Sequence, residues 1–233
     1  IVLALAILFA GIPCCFDPET EIILEDNAIV SINKVKIGQK ILKGGKVISI
    51  LKFINNQQMY QFNNVIVSGD HLVFHQSMNK WMRIKDVPEA QKITSTSKYI
   101  YCLNTEHNLI VTKNNTLFAD YQEYNDPKFH LLINKLVLNN LNKTVIDEKE
   151  NYYTNNNSSN NNNIIDNIDN KIISQSGFGG DTLIRTRDGL IRIKDIQIGQ
   201  LLDDFNIVTG IIISDIQNDD LYLYQDTILS GQN

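Results

Sequence analysis

From Cys15 to about Glu123 the chain contains no apolar run longer than a single strand. Thr20–Leu24, Ala28–Ile32, Val47–Ile54, Met59–Phe62, Val65–Val67, His71–Phe74, Tyr99–Leu103, Leu109–Thr112 and Thr116–Ala119 are each about four to eight residues long. Between them stand Glu25-Asp26-Asn27, Gly44-Gly45, Asn55-Asn56, Asn63-Asn64 and Asn114-Asn115. Such residues tolerate positive φ or bond their own backbone, which suits tight turns. Helical periodicity is nearly absent here, so the expected fold is all-β, a domain of hairpins spanning residues 14–124.

The pattern then changes. Phe129, Leu132, Ile133, Leu136 and Asn140 follow i, i+3, i+4 spacing and predict one amphipathic helix within Asp126–Asn142. Asn151–Asn163 lacks core-forming residues and reads as a low-complexity linker, so residues 125–175 form a helix plus linker. Residues 176–233 are strand-rich again and repeat the first block. Phe178 and Thr182 match Phe16 and Thr20 at an offset of 162, Ile193–Gln200 matches Ile32–Gln39 at 161, and Leu229-Ser230-Gly231 matches Val67-Ser68-Gly69 at 162. The second repeat is partial. It carries Gly177 at the position of Cys15 and Asn233 at that of His71.

Residues 1–13 are apolar up to Ile12 except for Gly11, and Pro13 ends the run. Twelve residues as a helix would span only about 18 Å, against roughly 30 Å of bilayer core. Two readings stand: a truncated membrane helix or signal h-region, or a buried core segment. The first implies membrane association through residues 1–12 and a membrane-anchored or secreted protein.

A formal net charge of −5 without a basic stripe argues against nucleic acid as a partner, because phosphate capture needs clustered Lys and Arg. Three cysteines, Cys14, Cys15 and Cys102, are too few for a disulfide framework or a four-ligand zinc site. No GxGxxG or Walker pattern occurs, and no metal or cofactor is expected. At least one thiol is left free or reactive.

The block Cys15-Phe16-Asp17-Pro18-Glu19-Thr20, then Val35-Lys36-Ile37-Gly38, then Val67-Ser68-Gly69-Asp70-His71, then Tyr101–Asn108, resembles in order the Hint superfamily of hedgehog C-terminal and intein domains. The resemblance implies a Hint-like fold and self-processing, in which the thiol of the first residue attacks the peptide carbonyl just before it. It makes Cys15 the nucleophile and Cys14–Cys15 the scissile bond, with the chain's own upstream segment as substrate. His71 becomes the proton-transfer residue and Ser68 the polarising partner. Ser68 stands where the family usually has Thr, keeping the hydroxyl but losing the methyl that restricts its rotamer. His107 matches the histidine that assists the last step in inteins. Cys102 occupies a position where Asp is common, which suggests a redox or proton-relay role, including a Cys15–Cys102 disulfide that switches processing off.

The chemistry agrees with those assignments. A thiol is the most nucleophilic common side chain, a nearby His can carry its proton, and hydroxyls or backbone N–H groups can polarise the bond. The end of the block, Leu117–Gln122, lacks His-Asn and a following nucleophile. The implied activity is therefore an N–S acyl shift and N-terminal cleavage without splicing, a single-turnover event rather than a turnover enzyme. Water, a thiol or a lipid hydroxyl would resolve the thioester. The competing class is a non-catalytic, degenerate Hint-like β-domain for interaction or display, with Cys15 a small buried hydrophobe, His71 a satisfied core histidine and Ser68 a turn residue. A third reading is a cysteine hydrolase acting on external substrates. His75 is expected on an exposed strand or loop, and His130 on the helix surface.

Overall fold

The computed structural model describes residues 2–6, 14–120, 177–202, 206–215, 221–224 and 227–230. Among them every regular element is a strand or a 3-10 turn, so the fold is all-β. β1 (Val2–Ala6) comes first. The first block holds β2 (Glu21–Ile23), β3 (Ile29–Ser31), β4 (Lys40–Ile41), β5 (Gly45–Ile54), β6 (Met59–Phe62), β7 (Val65–Ser68), β8 (Leu72–His75), β9 (Lys80–Arg83), β10 (Gln91–Ile93), β11 (Tyr99–Thr105), β12 (Leu109–Val111) and β13 (Leu117–Ala119). The second holds β14 (Gly177–Phe178), β15 (Leu183–Thr186), β16 (Gly189–Arg192), β17 (Gly210–Asp215), β18 (Leu221–Tyr224) and β19 (Thr227–Ser230). The helix expected within residues 126–142, His130, the Asn-rich linker and Asn233 lie outside the described residues.

Turn chemistry fixes the hairpins as expected. Asn63 and Asn64 both take positive φ, 47° and 59°, and close β6 onto β7. Along β5 the side chains alternate, and Val47, Ser49, Leu51 and Phe53 are buried on one face.

Three hairpins are each followed by a 3-10 turn: β2–β3 by Ile32–Lys34, β8–β9 by Ile84–Asp86, and β15–β16 by Ile193–Asp195. In each, the isoleucine is buried and its carbonyl accepts the N–H of a second buried residue, Val35, Val87 or Ile196. The first block thus consists of two such units. The β8–β9 unit shares the spelling Arg83-Ile84-Lys85-Asp86 with Arg192-Ile193-Lys194-Asp195 of the β15–β16 unit, a likeness that the offset of 162 does not reveal.

One sheet spans both blocks in the order β1-β17-β5-β11, with β4 also paired to β5. β17 is the counterpart of β5 in the second repeat and runs antiparallel to it, with Ile213 opposite Ile50 and Ile212 opposite Leu51. Equivalent strands paired in this way are related by a local two-fold axis. Ser49 Oγ lies 2.8 Å from Ser214 Oγ, and Lys46 Nζ lies 3.0 Å from Asp215 Oδ2. Ile212 enters the main core with Leu51 and Phe53, a burial that stabilises by about 1.5–3 kcal/mol. β17 of the second repeat therefore packs onto β5 of the first block.

Val2–Ala6 departs from the helical reading of the N-terminal apolar run. It is a strand, paired to the outer edge of β17 from Val2 opposite Asp215 to Ala6 opposite Ile211. An open strand edge presents unpaired backbone groups, and a short apolar run satisfies them as well as a helix satisfies its own. Among the described residues no helix is long and apolar enough to cross a membrane.

Candidate active site

Cys15 is held by backbone pairing on both sides. The Phe16 N–H donates to the Tyr101 carbonyl at 2.7 Å, the Tyr101 N–H returns to the Phe16 carbonyl at 2.9 Å, and the Asp17 N–H reaches the Ile66 carbonyl at 2.9 Å. The segment is thereby laced between β7 and β11, with Cys15 and Phe16 fully buried. Cys15 and Ser68 then close a ring. The Cys15 N–H donates to Ser68 Oγ at 2.9 Å, and the Ser68 N–H donates to the Cys15 carbonyl at 2.9 Å. The nitrogen so held is the nitrogen of the Cys14–Cys15 peptide bond. Ser68 thus meets this bond on its nitrogen side rather than at the carbonyl.

His71 sits in the turn after β7, its N–H on the Ser68 carbonyl at 3.2 Å. The buried ring packs on Phe16, with centroids 4.4 Å apart, and meets Phe118 edge-on at 5.6 Å. Nε2 lies 2.8 Å from the Ala119 carbonyl, which can only accept, so Nε2 carries the proton and Nδ1 is bare. Nδ1 has no hydrogen-bond partner among the described residues. Burial lowers the His71 pKa to about 4, against which the Ala119 and Cys14 carbonyls pull upward. The imidazole is neutral at pH 7, with a lone pair on Nδ1.

Cys102, on β11, is fully buried. Its Sγ donates to the Leu103 carbonyl at 3.8 Å, and the Cys15 pKa is held well above the usual thiol range by burial first and by the neighbouring Cys102 side chain second. Cys14 is half-buried, and desolvation pushes its thiol up to about 12. All three cysteines are free. Burial works against charge on both the Cys15 thiol and the His71 ring, so the resting pair is neutral.

The structure brings Cys15, Ser68, His71 and Cys102 together. It places His107 elsewhere, exposed beside the Gly44-Gly45 turn with Nδ1 3.3 Å from the Lys43 carbonyl. His75 departs from the exposed position expected of it. It is buried on β8, ring-stacked with Phe62, and Nε2 lies 3.0 Å from Glu89 Oε2. Period-2 alternation turns it inward.

Two features of the site escaped the sequence reading. Asp70 gathers Arg83 Nη1 at 3.1 Å and Lys85 Nζ at 2.6 Å, and all three charges act on Cys14. The Arg-Ile-Lys spelling of β9 and its turn was the available signal. Asp120, directly after the carbonyl that takes His71 Nε2, is buried. Its Oδ2 accepts the Thr105 N–H at 2.9 Å, while Oδ1 has no partner among the described residues. Desolvation raises this carboxyl to about 7, opposed by hydrogen bonds from Thr105 and Asn104. No sequence motif marks it.

In the second repeat Gly177 offers no side chain and Phe178 is exposed where Phe16 is buried, so no equivalent site forms. Among the described residues no group of three or more His, Cys, Asp or Glu is placed to hold a metal ion.

No protein-family model matches the chain, and neither does any curated protein sequence. Among solved structures the chain is similar to the MchDnaB-1 intein, at 12% identity over 45% of this chain and 99% of that one, with a TM-score of 0.36. The N145AA form of the same intein gives 14% identity over 45% and 98%, with a TM-score of 0.35.

Proposed function

We propose that this chain is a self-processing domain of the Hint type that breaks its own Cys14–Cys15 bond. One observation carries the reading. The nitrogen of that bond donates to Ser68 Oγ, and the backbone of Cys14 also acts on the ring of a buried, neutral His71 whose Nδ1 has no partner among the described residues.

In the proposed sequence the Cys15 thiol gives its proton to His71 Nδ1 and the sulfur adds to the Cys14 carbonyl carbon. The carbon–nitrogen bond then breaks, and the proton passes from His71 to the departing Cys15 nitrogen, held in place by Ser68. A thioester of Cys14 on the Cys15 sulfur and a free amine result. Water, a thiol or a lipid hydroxyl then takes the acyl group. Leu117–Gln122 carries neither His-Asn nor a following nucleophile, so the reading stops at N-terminal cleavage. His107, at the surface, has no part in this first step.

The neutral resting pair favours a second reading, a non-catalytic β-domain with Cys15 inert. A fusion with an upstream tag, incubated with a thiol or hydroxylamine, separates the two. Tag release with a product that begins at Cys15 supports self-processing, and an intact fusion under every condition sinks it.

Two free, buried thiols whose side chains influence each other, Cys15 and Cys102, support a redox brake. Oxidised glutathione would take two electrons from the pair, each sulfur losing its proton as the disulfide forms, and the nucleophile would be lost. Peptide mass mapping after mild oxidation should find the Cys15–Cys102 linkage, with cleavage restored by reductant. Absence of that linkage removes the brake.

A further inference from the structure

We propose that the second repeat is a strand acceptor for the segment upstream of Cys15, keeping residues 2–6 docked on β17 after the Cys14–Cys15 bond is cut. The inference rests on the reading that this bond is broken, and it assigns a role to the repeat that has neither nucleophile nor base.

β17 has two edges. One pairs with β5 of the first block, and the other is filled by β1 over five register positions. β1 also lies against β14 and the Ile193–Asp195 turn, so the elements around it belong to the second repeat. On β17, β1 takes the place that β11 takes on β5. The second repeat thus keeps the strand-pairing habit of the first, with the substrate's own leader in place of an internal strand.

Strand addition draws affinity from backbone hydrogen bonds and selectivity from alternate side chains, so it fits an extended apolar leader such as Val2–Ala6. Because β17 is itself locked into the first block through Ile212 and the Ser49–Ser214 contact, the leader is tied to the reacting domain at a site other than the scissile bond. Docking therefore restrains the leader before cleavage and retains it afterwards.

The test removes self-cleavage from the readout. A specific-protease site is inserted between Gly11 and Ile12 of the Cys15→Ala protein, the chain is cut there, and native mass spectrometry follows the freed leader. The leader should stay bound, and an added peptide of residues 1–6 should displace it. The same peptide carrying Leu3→Pro and Ala4→Pro should need about a hundredfold higher concentration, since proline removes ladder donors whichever of the two residues faces β17. The substitutions are in the peptide, so folding of the protein is not at stake. Immediate loss of the cut leader, or equal potency of the two peptides, overturns the proposal and leaves the assignment of Cys15 untouched.

Discussion

Replacing Cys15 with alanine abolishes release of an upstream tag, and replacing His71 with alanine slows it by about 10²–10⁴-fold, the range usual for a lost proton-transfer group. The Cys15 substitution removes the sulfur that forms the thioester in the proposed sequence, so no product beginning at residue 15 appears. The His71 effect needs a control, because its ring also fills space between Phe16 and Phe118. His71→Gln supplies that control, since its amide can still donate to the Ala119 carbonyl but offers no base near the Cys14–Cys15 bond. Quenched time courses analysed by mass should show His71→Gln as slow as His71→Ala. A glutamine variant that cleaves at the unaltered rate would show that His71 serves packing alone.

The second large effect is a pair of opposed pH dependences of stability. His71 has a pKa of about 4 in the fold against an ordinary 6.5 in the unfolded chain. Its contribution is therefore complete above pH 6.5 and is lost as pH falls toward 4, about 3 kcal/mol in all. Asp120 is raised to about 7 from an ordinary 3.8 in the unfolded chain. Its contribution is complete below pH 3.8 and is lost as pH rises to 7, about 4 kcal/mol in all. The two largely cancel between pH 4 and 6.5. Urea unfolding across that window should give a shallow profile for the unaltered chain, a profile rising with pH for Asp120→Asn, and a falling one for His71→Gln. Slopes of the same sign in the two variants contradict the assignment of these buried groups.

The strands were legible wherever an alternating apolar run met an Asn or Gly turn, as in β5, β6, β7 and β11. β4, β9 and β10 were not, because a two-residue strand has no period, Lys80–Arg83 reads as polar surface, and Gln91–Ile93 is too short. The apolar leader shows the limit of composition. Its residues suit a helix or a strand alike, and the choice was made by the edge of β17, more than 200 residues away in sequence. The site divides in the same way. Cys15, Ser68 and His71 were readable from an ordered set of blocks, and the position of Cys102 pointed to a partner for Cys15. Asp120 was unreadable, since nothing in Phe118-Ala119-Asp120 records that its carboxyl is buried with an unpartnered oxygen.

A contact across a local two-fold axis ordinarily belongs to two identical subunits, and its occupancy then rises and falls with protein concentration. Here one chain supplies both β5 and β17, and the tether between them makes the encounter intramolecular. The sheet that carries Cys102 on β11 and the leader on β1 should therefore assemble equally well in dilute and concentrated protein. In effect the chain is a dimer of repeats that cannot be diluted apart.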